Sequence, residues 1–402
     1  MNRRQALAAL GGLAAVALRG WSNEPDDGEE TVRGDTRFAL DLYGQLKGTE
    51  GNLFLSPYSI SSALAMTYVG ARGNTAEEMA KTLRFTLPHE RLHPAYGQRL
   101  RAYTDAGAKR PYQLHIANAL WGQAGMEWRK PFIETTATHY QSGLREVNFS
   151  GATEQARKTI NEWVEQQTKD KIKDLIKPGL LNALTRMVLT NAIYFKGNWV
   201  LQFDKKRTAD GAFFINDLKQ VNAKLMTQKG KFNYMQNELL QAVEMPYAGK
   251  ELSMVVLLPR KRTGLAEVES KLSMERLNEW TGKLQPARDL TVTLPKFTFT
   301  AEFELSRALQ SLGMQEAFSG KADLSGMAGN PGDLRISKVI HKAFVDVNEE
   351  GTEAAAATAV VVEAKAVPVE LVFRADHPFL FLIREVKTGA IMFMGRMSDP
   401  SQ

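Results

Sequence analysis

The segment 349–368 (EEGTEAAAATAVVVEAKAVP) constrains this chain most, because its residues favour two different structures. The run of four alanines at 354–357 favours a helix, whereas the run of three valines at 360–362 favours a strand. The simplest interpretation is an exposed linker, or a short helix with a strand after it. As one strand, the segment has an uncharged face of small or β-branched residues: Thr352, Ala354, Ala356, Thr358, Val360 and Val362. Such a strand could be exposed in one state and lie between existing strands in another.

Periodic apolar residues predict helices mostly early in the chain and strands mostly late. Helical patterns cover 38–46, the run after Ser56 and Pro57, and 153–168 with Thr153 as N-cap. Strand patterns cover 187–195, 252–258 and 290–294, and 379–383 with 390–394 predict a closing hairpin. Because there is no internal repeat and no regular βαβ alternation, we expect a single α+β domain over 36–402.

The N-terminus has the pattern of an export signal. Arg3 and Arg4 precede an uncharged apolar run at 6–18, which is too short to span a bilayer, and 15–17 (AVA) offers a small-x-small cleavage site. We therefore expect a signal peptide over 1–17 and a secreted protein, periplasmic or extracellular, exported by the Sec or the twin-arginine route. The polar and acidic residues 18–35 predict a tether.

Composition excludes several classes of function. With no cysteine in 402 residues, the chain has no disulfides, thiol nucleophiles or iron–sulfur clusters. Its 51 basic and 45 acidic residues include no long block of like charge, so we expect no nucleic-acid partner. Phosphate-binding, zinc-protease and nucleophile-elbow motifs are missing. Of six histidines, only His89 and His93 have ligand-like spacing, and the prolines beside them predict a solvated turn. We expect no enzyme, no metal, no cofactor and no membrane partner.

Five motifs in fixed order resemble those of the serpin family. They are 52–60 (NLFLSPYSI), 190–199 (TNAIYFKGNW), 322–326 (ADLSG), 341–354 (HKAFVDVNEEGTEA) and 376–381 (DHPFLF). Since they span nearly everything after the tether, the chain is identified as a member of this family. With its signal-like N-terminus it resembles an exported member of bacterial type.

The resemblance implies a serpin fold with three β-sheets, about nine helices and an exposed reactive-centre loop at about 349–368. It also implies a metastable suicide-substrate inhibitor. A serine protease cleaves the loop and forms its acyl-enzyme, and the freed loop inserts into the large sheet before water completes the reaction. The loop hinge then comprises Glu349, Glu350, Gly351, Thr352, Glu353, Ala354, Ala355, Ala356, Ala357 and Thr358.

The resemblance also places the reactive bond. Counting seventeen residues from Glu349, as is common in the family, gives Lys365, with Ala366 on the other side of the bond. A lysine there predicts a trypsin-like target. A register one or two residues away would instead use Ala364, Ala366 or Val367 and favour elastase- or subtilisin-like enzymes, or a cysteine protease.

Further residues receive supporting roles by resemblance. The shutter, a polar cluster beneath the opening sheet, comprises Ser56, Ser59, Asn191 and His341. The breach, where insertion begins, includes Trp199 and Lys296. We expect the pair of Lys296 with Glu349 to be partly exposed and of little energetic value in isolation.

The partner implied is a serine protease bound covalently, and we expect a monomer. Basic residues near the position where some relatives bind glycosaminoglycans allow weak polyanion binding, although a solvated helix face explains them more simply: Arg91, Arg99, Arg101, Lys109 and Arg110. The competing functions are a non-inhibitory serpin acting as chaperone or carrier and, more distantly, a hydrolase.

Overall fold

The computed structural model describes residues 26–104, 110–141, 143–351 and 371–402. The predicted signal peptide, the tether up to residue 25 and Lys109 lie outside these ranges. So do the hinge from Thr352 onward and the reactive bond between Lys365 and Ala366.

Nine α-helices occur in the described residues. They are α1 (Asp27–Leu46), α2 (Pro57–Tyr68), α3 (Gly73–Leu83), α4 (His89–Thr104), α5 (Lys130–Tyr140), α6 (Phe149–Gln167), α7 (Leu265–Ser270), α8 (Met274–Gly282) and α9 (Ser306–Ser311). As predicted, α2 follows Ser56, which caps it by accepting a hydrogen bond from Ser59 N, and Pro57 occupies the first helical position. No helix in the described ranges is long and apolar enough to cross a bilayer.

Three local predictions are wrong. The tether does not extend to residue 35, because Asp26 caps α1 through Gly28 N at 2.7 Å and α1 buries Asp35 and Thr36. Acidic residues in the first turn favour this start, since they face the positive end of the helix dipole.

The other two errors concern a cap and a turn. The N-cap of α6 is Asn148 rather than Thr153, whose hydroxyl bonds back to Phe149 O at 2.6 Å within the helix. His89 and His93 open α4 instead of lying on a solvated turn. His93 is 4% exposed, and its Nδ1 lies 2.7 Å from Tyr140 Oη.

Fourteen strands complete the described fold. They are β1 (Leu53–Leu55), β2 (Tyr112–Gln123), β3 (Leu144–Val147), β4 (Met187–Gly197), β5 (Ala209–Phe214), β6 (Gln220–Gln236), β7 (Leu240–Pro246), β8 (Leu252–Pro259), β9 (Gln285–Pro295), β10 (Phe297–Glu304), β11 (Lys338–Val347), β12 (Val372–Arg374), β13 (Phe379–Glu385) and β14 (Ile391–Met397). The predicted strands β4, β8 and β9 and the β13–β14 hairpin are confirmed.

The described strands form two hydrogen-bonded sheets. One has five strands in the order β10-β11-β4-β2-β3, and the other has nine, in the order β1-β14-β13-β8-β7-β6-β9-β12 with β5 also on β6. The three expected sheets appear as two networks because β6 is long: its first part pairs with β5 and its last part with β7. The larger network therefore consists of two halves joined by one continuous strand.

Helix α2 lies between the two sheets and is buried along its whole length. On the other face of the five-stranded sheet, Ile160 and Val164 of α6 pack with Trp121 and Val188. At the centre of this sheet, β4 and β11 pair directly and in parallel, from Val188 opposite Lys338 to Tyr194 opposite Phe344. This pair positions the candidate site.

Candidate functional site

A buried polar network joins the two central strands halfway along their length. Asn191 of β4 lies opposite His341 of β11 in the register, and their side chains are hydrogen-bonded. His341 Nε2 accepts a bond from Ser56 N at 3.2 Å, so Nδ1 carries the proton that is donated to Asn191 Oδ1. Asn191 Nδ2 donates to Ser59 Oγ at 2.6 Å, and Ser56 Oγ donates to Met392 O at 2.6 Å. The four residues predicted as the shutter are thus brought together.

Burial decides the charge of this network. His341 is fully buried, and desolvation lowers the pKa of its ring to about 3. The imidazole is therefore neutral at pH 7, as the bond from Ser56 N requires. The functional prediction and the structural role of His341 coincide: it holds β4, β11 and the start of α2 together.

Sequence reasoning missed a fifth member of the network, Asn118. This residue of β2 lies opposite Asn191 in the antiparallel register, bonds to it, accepts from Ser59 Oγ at 3.1 Å and donates to Ser59 O at 3.1 Å. An asparagine inside the apolar run 116–121 (IANALW) is a signal that could have marked it as a buried polar residue, since a buried amide needs partners.

A second cluster holds the base of the loop at the end of β4 and β11. The Trp199 ring stacks on Tyr247 at 4.5 Å, and Trp199 Nε1 donates to Asn348 O at 3.0 Å. Trp199 N donates to Glu350 O at 3.0 Å, and Phe203 N donates to Glu349 O at 2.8 Å. Backbone bonds therefore fix the loop base to the chain that follows β4.

The Glu349 carboxylate is more buried than the sequence prediction allowed. Its side chain is 7% exposed, and it accepts from Lys296 Nζ at 3.1 Å and Thr208 Oγ1 at 2.9 Å. Desolvation alone would raise the pKa of Glu349, but bonds from its own backbone N–H, Lys296 and Thr208 lower it. The pair was expected to be partly exposed. Only the Lys296 side chain is, with 44% of its surface exposed.

Gly351 is the last described residue before the loop, and its backbone requires glycine. Its φ is +96°, and a Cβ there would lie 2.4 Å from Trp199 N and 2.5 Å from Gly197 O. Because both neighbours are backbone atoms, no side-chain movement could make room. The neighbouring Glu350 pairs with Lys205 at 2.5 Å.

Two of the basic residues considered for polyanion binding are held in ion pairs with α1. Arg99 is 8% exposed and pairs with the buried Asp35 at 2.6 Å, and Arg91 pairs with Asp27 at 2.5 Å. The expectation of a solvated helix face is therefore wrong for Arg99, because α1 covers the face of α4 that carries it. Within the described ranges, no three acidic or histidine side chains lie together as metal ligands.

Comparisons with known proteins agree with this architecture. The family profile "Serpin (serine protease inhibitor)" matches residues 33–400. Leukocyte elastase inhibitors from Bos taurus and Homo sapiens are 44% and 43% identical over 381 and 385 residues, covering 92% of this chain and 100% of each relative. The crystal structure of uncleaved ovalbumin has a TM-score of 0.84 at 31% identity and covers 94% of this chain and 100% of its own.

The profile match spans nearly all of the described residues, and the ovalbumin structure has the same fold. The chain therefore belongs to the serpin family of serine protease inhibitors.

Proposed function

We propose that this protein is a suicide-substrate inhibitor of serine proteases, in which the loop 349–368 is cleaved and then inserts between β4 and β11. One observation carries the proposal: β4 and β11 pair directly, and the base of the loop is attached at the end of this pair. The protein supplies no catalytic residue of its own and acts as a substrate that is not released.

The pairing gives insertion a driving force. After β11 the chain turns at 348–351, so a loop strand returning between β11 and β4 runs antiparallel to both. One parallel pair is then replaced by two antiparallel pairs, which are slightly more stable per residue and add a full strand of hydrogen bonds. The uncharged face from Thr352 to Val362 suits the buried side of such a strand.

The chemistry belongs to the protease. Its serine oxygen attacks the carbonyl carbon of Lys365, the bond to Ala366 breaks, and the protease histidine gives the proton to the leaving nitrogen of Ala366. The resulting ester survives only if the loop inserts before water attacks it. Lys365 supports a trypsin-like target, because a pocket that ends in an acid selects lysine.

A second target class is favoured by a separate observation. The two relatives described above are named leukocyte elastase inhibitors. A cut at Ala364, Ala366 or Val367 would place a small apolar residue in the protease pocket, as elastase- and subtilisin-like enzymes require. The side chain at the cut decides between the two, since a shared fold does not fix the target.

The test is incubation with trypsin, pancreatic elastase, subtilisin and papain. Inhibition gives a covalent band that resists boiling in detergent, and mass spectrometry of the released peptide locates the cut. A trypsin complex with a peptide that starts at Ala366, abolished in Lys365→Ala, supports the first target class. An elastase or subtilisin complex with a shifted peptide supports the second. If the loop is cut and none of the four proteases gives a covalent band, the result would contradict inhibition and favour a chaperone or carrier.

We also propose that the protein is exported, that it is of bacterial type and that it acts as a monomer. Arg3, Arg4 and the apolar run at 6–18 support the export alone. N-terminal sequencing of secreted material should find a new terminus near residue 18. Lys substitutions at both arginines should block the twin-arginine route and leave the Sec route working. Retention of an intact Met1 in the secreted or periplasmic fraction would contradict cleavage.

A further inference from the structure

The motif 376–381 (DHPFLF) has no role in the proposed insertion, and it begins where the chain returns from the loop. The described chain resumes at Leu371, whose carbonyl oxygen accepts from Thr291 N at 2.9 Å. The next three residues form β12, which pairs in parallel with β9 at the edge of the larger sheet network. We call the segment 371–377 the distal end of the loop.

Three charged or polar side chains fasten the distal end to the body of the protein. His377 is 7% exposed, with its Nδ1 2.9 Å from Asp376 Oδ1 and its Nε2 2.9 Å from Pro259 O at the end of β8. Asp376 Oδ2 accepts from Arg374 Nε at 3.0 Å, and Asp376 O accepts from Phe214 N of β5 at 2.8 Å. We call Arg374, Asp376 and His377 the distal clasp.

The geometry of the distal clasp determines the charge of His377. Both of its ring nitrogens face oxygens that accept hydrogen bonds, a carboxylate and a backbone carbonyl. A neutral imidazole donates from one nitrogen only, so either neutral tautomer would place a lone pair against an oxygen. His377 therefore satisfies both contacts only as a cation. Desolvation alone would raise the pKa of the Asp376 carboxyl, but the bonds from His377 and Arg374 lower it, which leaves an anion beside this cation.

The distal end also limits what the uncut loop can do. If 352–362 formed a strand between β4 and β11, its two ends would lie about 33 Å apart. The chain from Val362 to Leu371 reaches at most about 30 Å when it is fully extended. Leu371 is fixed beside β9, and the residue after β9, Lys296, pairs with Glu349 at the loop base. The uncut loop is therefore too short to complete the strand while β12 stays on β9.

We propose that His377 is a positioning residue: as a cation between Asp376 and Pro259 O, it holds the distal end in place and so prevents the uncut loop from inserting. The inference rests on the proposed function and adds how the loop stays available to a protease. Release of β12 must break the bonds of the distal clasp. A variant that lacks these bonds from the start therefore has a lower barrier to release, and its loop should insert without being cut.

The experiment incubates the uncut protein without protease and treats samples briefly with subtilisin over time. An exposed loop is cut or captured in a covalent band, whereas an inserted loop is neither. His377→Gln should start with an exposed loop, because the fully buried Phe373 still anchors β12. It should then convert about ten- to a hundredfold faster than the unmodified chain, to a full-length form that unfolds at a higher temperature. His377→Arg should convert slowly, since a guanidinium is a cation that donates in several directions.

His93→Gln is the matched control for the loss of a buried histidine. His93 is 4% exposed and bonds to Tyr140 between α4 and α5, so this variant should be less stable without converting faster. Equal conversion rates in His377→Gln, His93→Gln and the unmodified chain would overturn the proposal. So would His377→Arg converting as fast as His377→Gln, because the histidine would then not act as a cation.

Asp376→Asn tests the same bridge if His377→Gln does not fold. It keeps an oxygen acceptor and removes the charge, so conversion should again be faster than in the unmodified chain. The control is Asp210→Asn, which removes a carboxylate of the same sheet network that pairs with the exposed Lys224 at 2.9 Å. Equal conversion rates in the two asparagine variants would overturn the proposal.

Failure of the proposed function remains distinguishable from failure of the distal clasp. Conversion is measured by the loss of sensitivity to cutting and by the unfolding temperature, so it needs no covalent complex. Faster conversion in His377→Gln supports the clasp even if no protease gives a covalent band, a result that would contradict inhibition. Covalent bands together with equal conversion rates in all variants would support inhibition and contradict the clasp.

Discussion

His341 and Asn191 belong to strands that must separate if the loop is to insert, so their bond keeps the sheet closed. The ring of His341 is neutral in the native protein because burial lowers its pKa to about 3, whereas in the unfolded chain its pKa is near 6.5. Between these values the unfolded state binds one proton more than the native state. The contribution of His341 to the free energy of unfolding is therefore fully present above pH 6.5. It decreases by about 1.4 kcal/mol per pH unit as the pH falls below that value.

His341→Gln should therefore make the protein less stable at pH 7 and less sensitive to acid. The free energy of unfolding, measured in urea, should decrease between pH 7 and pH 5 in both proteins. We expect the decrease to be smaller in this variant than in the unmodified chain, and the difference to correspond to the binding of one proton. Asn191→Ala is the matched control, since it breaks the same bond and leaves the histidine in place. It should lower stability at both pH values with the original slope. Equal acid sensitivity in His341→Gln and the unmodified chain would refute the assignment.

Gly351 allows a second test on a single residue. Gly351→Ala places a methyl group against Trp199 N and Gly197 O at a positive φ, which should cost about 1–3 kcal/mol in the uncleaved protein. The urea midpoint should fall accordingly. Gly44→Ala is the control, because nothing lies within 4 Å of its Cβ and its helix α1 favours alanine. An unchanged midpoint for Gly351→Ala would mean that the loop base is not held as described.

At the scale of elements, the proposed insertion depends on the alternation of the loop residues. Ala356 belongs to the uncharged face of the predicted strand, and Ala357 to the opposite face with Glu353. Ala356→Arg should bring a charge into the sheet interior during insertion. Each ~1.4 kcal/mol added to that barrier slows insertion about tenfold, so more acyl-enzyme is hydrolysed.

The measurement is the number of inhibitor molecules consumed per protease molecule inactivated. It should rise strongly in Ala356→Arg, with cleaved inhibitor replacing the covalent band on the gel. Ala357→Arg carries the same charge on the other face and should change the number little. An equal effect of both substitutions would show that the loop does not insert as an alternating strand.

Long apolar strands could be predicted from the sequence, whereas their partners could not. β4 and β8 follow from their composition alone, since strands buried on both faces have no other pattern. The pairing of β4 with β11 joins residues about 150 positions apart, as in Asn191 and His341, and no local propensity encodes it. Asn118 was missed for the same reason: its role follows from the register of β2 against β4.

Local patterns failed where tertiary contacts decide burial. The acidic residues before Thr36 resemble a tether until α1 is seen to bury Asp35 against Arg99. Likewise, His93 could not be distinguished from a surface histidine without Tyr140, which comes from α5. At the candidate site, the family motifs supplied the polar cluster and the loop base, and the structure supplied their hydrogen bonds and the buried state of Glu349.

For the whole molecule, β4 and β11 pair directly in the described state. If the loop can insert between them, the inserted state is more stable than the described one. An inserted strand of about ten residues would add hydrogen bonds worth about 10 kcal/mol, and in the proposed mechanism this strand forms only after the loop is cut. Cutting the loop with a protease that does not form the complex should therefore raise the unfolding temperature by at least about 10 °C.

Differential scanning calorimetry of the intact and the cut protein measures this difference directly. The cut protein with Ala356→Arg is the control, since a blocked strand should leave the unfolding temperature near that of the intact chain. A cut unmodified protein that melts at the intact temperature would show that cleavage releases no stored stability. Inhibition by insertion would then lack its energy source, whatever covalent bands are seen.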